Sequence, residues 1–332
     1  MLNISLQSAI LIELCTAFLW GSWFQLLKRI GKYPLPAFMI WLYVFSNIIV
    51  WGVMLIFKGT FVPEGIIYWI SAKPKLVAIC LLGGAMFGIG MQVSTAIMSK
   101  LGMVLSVSVS ATLGVFTGTV IPMLVNGLPD GMTILTIIII SVLFLSGTLL
   151  VQYAGNEYRK DQKDNYDRDI PKVSLKLYLW FLVNTVLGLG YTFGMTYGMR
   201  SITNPHGLPP MLCCGLICFG AFLGTIIVSI VRLKKANQLD ILVHTSPKVL
   251  LFSFLSACGH FGGNVTHMIA APLLSLAVAW PITTTSNLWT YFWGFVYGEF
   301  RNSSKKVVFM LIAGLAMYIA GLIYLYKSVV SV

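Results

Sequence analysis

Glu13 stands in the middle of the apolar run SAILIELCTAFLWG, residues 8–21, where a carboxylate is out of place. It is one of ten acidic residues and the one set deepest in such a run; its nearest rival, Glu299, falls at the edge of a later run beside Arg301. An ionised side chain at the centre of a bilayer costs roughly 2.5–3.5 kcal/mol on insertion scales. A carboxyl escapes that cost by taking up a proton, which is also what a proton-coupling group must do. Two other roles fit the same residue: a permanently protonated acid bonded to a neighbouring helix, or a sodium ligand.

A second group lies in ACGHFGGNVTHMIA, residues 257–270. His260, Asn264 and His267 fall at i, i+4 and i+7, on one helical face. Polar groups on one stripe are expensive against lipid, so the stripe should face a cavity or another helix. In a cavity, Asn264 and His260 would bond the hydroxyls of a sugar, or His260 would relay a proton. The plain alternative is hydrogen bonding between helices. His267 lies nearer the outer end of the run and is the weaker candidate.

Trp280, Thr284, Asn287 and Tyr291 then follow at i, i+4, i+7 and i+11, with Pro281 placed to kink the helix because it lacks the amide proton. An indole beside hydrogen-bonding groups suits a sugar, whose C–H face lies on the ring while its hydroxyls need fixed partners. Trp20 would form the facing wall. Tryptophans at helix ends also serve as interfacial anchors, the rival role for Trp20 and Trp280. Gly84, Gly88, Gln92 and Thr95 share a further face; the glycines allow close packing or bending, and Gln92 is the site candidate among them. Ser106 and Ser110 are read first as helix packing.

The elements that carry these residues follow from composition. Of 332 residues, 58% are hydrophobic and 10% charged, against roughly 25% charged in a soluble domain. Runs of the ~20 apolar residues needed to cross a bilayer recur along the chain. Ten spans are predicted near 6–27, 37–57, 76–97, 103–125, 132–153, 177–199, 209–231, 249–270, 274–297 and 307–326. The six cysteines all fall within apolar runs and read as small packing residues. The formal net charge of +12 points to topology and not to nucleic acid, because Lys and Arg cluster in the breaks between spans. Seventeen of the 22 fall in breaks one, three, five, seven and nine, which places those breaks in the cytoplasm and both termini outside the cell membrane.

The longest polar break, within 154–176, is read as a mixed-charge cytoplasmic linker between residues 1–153 and 177–332. Five spans on either side imply repeats of opposite orientation. Glu13, Trp20 and Arg29 align with Asn184, Tyr191 and Arg200 at a constant offset of 171. Inverted repeats with a midplane site between the halves are an architecture of secondary transporters.

LLGGAMFGIGMQ (81–92), SKLGM (99–103) and FTGTVIPMLVNG (116–127) together resemble the rhamnose–proton symporter family. AVAWPITTTSNLWTYFWGFVYGEF (277–300), followed by RNSSKK, is similar to the glucose/ribose porter family. Both families belong to the drug/metabolite transporter superfamily, so the resemblance implies ten transmembrane helices in two inverted five-helix repeats. The expectation is an all-α integral membrane protein, not an enzyme and without a cofactor. It would import a neutral hexose or deoxyhexose with protons, binding between spans one, three, eight and nine. Export of a small amphipathic metabolite or drug, or a scaffold or sensor that moves nothing, are the alternatives.

Overall fold

The computed structural model describes residues 4–101, 117–166, 175–298 and 300–330. The first helix, α1 (Leu6–Ser22), tightens into 3-10 turns over Trp23–Arg29. Next come α2 (Leu35–Ile56), the short α3 (Lys58–Phe61) and α4 (Ile66–Ala72), and α5 (Pro74–Leu101). A helix over 117–126 is α6. The remainder are α7 (Ile134–Tyr166), α8 (Leu175–Gly198), α9 (Pro210–Lys235), α10 (Pro247–Leu274), α11 (Leu276–Thr283), α12 (Ser286–Val296) and α13 (Lys305–Val330). Among the described residues no strand forms, and eight helices are long and apolar enough to cross a membrane.

Helix starts follow local chemistry. The Ser5 hydroxyl accepts the Ser8 amide at 3.1 Å and caps α1. Proline occupies the first turn of α2, α9 and α10, where its missing N–H costs nothing. Packing then sorts the faces. α5 lies between α8 and α9, α10 lies between α1 and α2, α2 also meets α9, and α7 pairs with α13. The outward surface carries large apolar side chains such as Ile48, Ile56, Ile227 and Phe309, as a lipid-facing surface requires.

The glycine stripe of α5 serves this packing. A Cβ on Gly84 would stand 2.2 Å from the Ile217 carbonyl oxygen, and one on Gly88 2.1 Å from that of Ala221. Gly220 and Gly224 of α9 return the favour against Leu81 and Ala85. The two backbones touch because neither presents a side chain there.

Eight of the ten predicted spans correspond to these eight helices. The span predicted over 103–125 is described only from residue 117, and Ser106, Ser110 and Glu299 lie outside the described residues. The span predicted over 274–297 is broken into α11 and α12. Pro281 withholds one amide, and the hydroxyls of Thr283, Thr284 and Thr285 donate back to the carbonyls of Trp280, Pro281 and Ile282 at 2.8, 2.6 and 2.6 Å. Three successive hydroxyls competing for the helical acceptors stop the ladder where the proline has already weakened it. The linker also starts as helix, because α7 runs on through 155–166. Glu157 and Lys160 are good helix formers, and Glu157 accepts from Lys160 at 2.8 Å and from Lys306 of α13 at 2.7 Å.

Candidate functional site

The inward face of α1 carries Ala9, Ile10, Glu13, Thr16, Ala17 and Gly21, a stripe of helical period whose small members admit α10 closely. Three polar contacts then join α1 to α10, about one per turn. Glu13 Oε2 lies 2.9 Å from His267 Nδ1. The hydroxyls of Thr16 and Thr266 are 2.7 Å apart. Trp20 Nε1 donates to the His260 carbonyl at 3.0 Å. Gly263 makes room for the last contact, since a Cβ there would come within 2.6 Å of the Trp20 ring.

Neither Glu13 nor His267 exposes any of its side chain. One proton lies between them in either of two ways: the imidazole N–H donates to a carboxylate, or a carboxylic acid donates to a neutral ring nitrogen. Among the described residues, Glu13 Oε1 and His267 Nε2 have no hydrogen-bond partner. A buried polar atom left unpaired costs about 1–3 kcal/mol, so the pair retains unused bonding capacity at its own expense.

Beside the pair stands an aromatic wall. The Trp20 ring lies 5.4 Å from that of His267 and 6.2 Å from that of Trp280. Trp280 continues to Tyr191 at 5.8 Å, and Tyr191 to Phe87 at 5.0 Å. Trp280 also presses on α6, where a Cβ on Gly118 would overlap its indole. On the far side of this wall is a cavity of about 210 Å³. Phe87, Tyr191 and Trp280 form its apolar side, and Ser94, Asn184, Thr185 and Thr192 its polar side. Among the described residues, none of those lining it is charged.

The predicted residues thus divide. Glu13, Trp20, His260, Asn264 and Trp280 converge. His267, the weaker of the two histidine candidates in sequence, is the one that meets Glu13. His260 instead sits among the rings of Trp23, Tyr43, Phe87 and Phe261, with centroids 4.7, 5.7, 6.0 and 5.0 Å away. The remaining three are held elsewhere. Gln92 donates to the Ser229 hydroxyl at 2.6 Å and accepts from Arg232 at 3.2 Å, tying α5 to α9. Thr284 bonds within its own turn, as described above. Asn287 donates to the Tyr318 hydroxyl at 3.1 Å, and that hydroxyl also bonds Thr148 of α7. The cavity accordingly lies among α5, α6, α8 and α11, and not between spans one, three, eight and nine as expected: no residue of spans one or eight is among its described lining.

Tyr191 and Asn184 were missing from the predicted site. Their signal was present in the alignment of the halves, which sets them opposite Trp20 and Glu13.

No family model matches the chain, and no curated protein matches it. In fold it is similar to a protein of known crystal structure, with a TM-score of 0.59 and 11% identity over 96% of each chain. At that identity the likeness concerns the fold alone.

Proposed function

We propose that this chain is a secondary transporter that carries a neutral sugar, a hexose or deoxyhexose, into the cell together with protons by alternating access. The observation that carries the reading is the buried Glu13–His267 pair beside a cavity whose described lining holds three aromatic rings, several polar groups and no charge. A carboxyl shut away from both water and lipid, with a basic partner 2.9 Å away, has the parts needed to take up and release a proton. The cavity offers rings for the C–H face of a sugar and hydroxyl or amide groups for its oxygens.

Ten spans in two inverted repeats complete the proposal, with α11 and α12 together as the ninth span and α6 in the fourth. The packing supports this arrangement. Matching α1, α2, α5 and α7 with α8, α9, α10 and α13 turns the α1–α10 contact into α8–α5 and the α2–α10 contact into α9–α5, and all four occur. The α2–α9 and α7–α13 contacts map onto themselves. A break between α11 and α12 at membrane depth fits a transporter, in which discontinuous helices border the site.

The size of this cavity favours a sugar over a drug. Drug-sized ligands occupy pockets of roughly 300–1,000 Å³, and the cavity, at about 210 Å³, suits a smaller guest. The test is uptake of labelled monosaccharides by reconstituted vesicles under an imposed pH gradient, acidic outside. Accumulation of one of them above its equilibrium level supports the reading. Uptake indifferent to the gradient discards proton coupling, and no uptake of any monosaccharide discards the substrate class.

A further inference from the structure

The cavity and the Glu13–His267 pair sit on opposite sides of an aromatic wall, yet one hydrogen-bonded turn joins them. Glu13 and Trp20 are seven residues apart on α1, and Asn184 and Tyr191 are seven apart on α8. The first two belong to the pair's side; the second two line the cavity. Both aromatic residues end on the same turn of α10. The His260 carbonyl accepts from Trp20 Nε1 at 3.0 Å and from the Asn264 side-chain amide at 2.9 Å. The Asn264 side-chain oxygen in turn accepts the Tyr191 hydroxyl. Seven residues beyond His260, on the same face, the helix presents His267 to Glu13.

We propose that Tyr191 couples occupancy of the cavity to the state of the Glu13–His267 pair, through Asn264, the His260 carbonyl and Trp20. A guest against the Tyr191 ring alters how its hydroxyl meets Asn264. Asn264 shares its acceptor with Trp20, so the change reaches α1 as well as the α10 turn that leads to His267. Buried hydrogen bonds of this kind polarise one another, and a disturbance at one end is felt along the chain. Thermodynamic linkage makes the effect mutual: whatever factor the guest imposes on protonation of Glu13, protonation imposes on binding of the guest. The proposal rests on the cavity being the substrate site.

The experiment uses the full-length protein in vesicles, with D-glucose and L-rhamnose as probes. Dicyclohexylcarbodiimide, an apolar reagent that attacks protonated carboxyls, reports on Glu13 through mass spectrometry of its peptide. In the wild type, the sugar that raises the unfolding temperature should also change the rate of Glu13 modification by about five-fold or more, the lower end of site-to-site couplings. Tyr191→Phe keeps the ring and removes the hydroxyl. The same sugar should still stabilise that variant, while its Glu13 rate becomes indifferent to sugar. Trp20→Phe, which removes the other donor to His260, should behave the same way and stands in if Tyr191→Phe does not fold. A wild-type-like response in either variant overturns the proposal. Loss of sugar stabilisation in Tyr191→Phe also overturns it, because Tyr191 would then be a binding residue only. A wild type that is stabilised with no change at Glu13 overturns the coupling and leaves the substrate reading standing. A wild type that neither sugar stabilises overturns both.

Discussion

Glu13 and His267, 254 residues apart in the chain, meet at 2.9 Å with neither side chain exposed. This contact links the first helix of the protein to α10, and among the described residues it is the one acid–base side-chain contact with both partners buried. A carboxyl so placed has no contact with solvent, and His267 is its hydrogen-bond partner.

His267→Ala should therefore be strongly destabilising. Removing one member of a buried pair costs about 3–5 kcal/mol, because the remaining member is left uncompensated. The expected outcome is a marked fall in unfolding temperature and loss of gradient-driven uptake. His260→Gln, in the neighbouring ring cluster, should keep gradient-driven uptake within about two-fold, a difference of ~0.4 kcal/mol in barrier height. Parallel uptake assays of the two variants decide between the histidines.

Only part of this arrangement was legible in the sequence. Glu13 announced itself, because a carboxyl in an apolar run has few explanations. The i, i+4, i+7 spacing placed His260, Asn264 and His267 on one face, and they do share it. Which histidine meets Glu13 depends on how α1 crosses α10, and spacing within one helix carries no record of its neighbour. The same ignorance misplaced Gln92 and Asn287. Each was expected to meet substrate, but each is buried and bonded to protein, Gln92 to Ser229 and Arg232 and Asn287 to Tyr318, on helices remote in sequence. The break between α11 and α12 was half visible: Pro281 marked a kink, and the three threonines that complete it were read as one site residue, Thr284.

Gln92→Leu tests that reassignment. It deletes the bonds to Ser229 and Arg232 and leaves a buried hydroxyl without its donor, for a loss of about 1–3 kcal/mol. Thermal unfolding should register that loss, while stabilisation by sugar remains as in the wild type. An unchanged unfolding temperature with weakened sugar binding would return Gln92 to the substrate site.

Gly88→Leu should prevent α5 and α9 from closing, since even a Cβ would come within 2.1 Å of the Ala221 carbonyl oxygen. Overpacking typically costs ~1–3 kcal/mol where side chains can adjust, and here the obstacle is backbone. Folded yield after detergent extraction is the readout. Gly52→Ala, where an added Cβ meets nothing within 4 Å, should leave that yield unchanged.

Outside the spans, Glu64 accepts from Trp69 Nε1 at 3.1 Å, and the Arg200 guanidinium lies over the same indole at 4.7 Å. A bond from its own backbone amide, then the Trp69 bond, holds the Glu64 carboxyl below its ordinary value of 4.5. The sign follows from linkage. A depressed value means that Glu64 supports this loop above pH 4.5 and loses that support as pH falls below it. Amide-exchange protection across α4, corrected for the intrinsic pH dependence of exchange, should fall on acidification through this range, and Glu64→Gln should flatten the dependence. The effect is small, because Glu64 is open to solvent.

The central claim, that Glu13 carries the proton that drives uptake, is tested most directly in vesicles containing Glu13→Gln. Glutamine keeps the shape and hydrogen-bonding capacity of a protonated carboxyl but cannot release the proton. Under a pH gradient, wild-type vesicles should concentrate the sugar above the outside level, while Glu13→Gln vesicles should only equilibrate it, with exchange across the membrane intact. Accumulation by Glu13→Gln equal to that of the wild type would contradict the account.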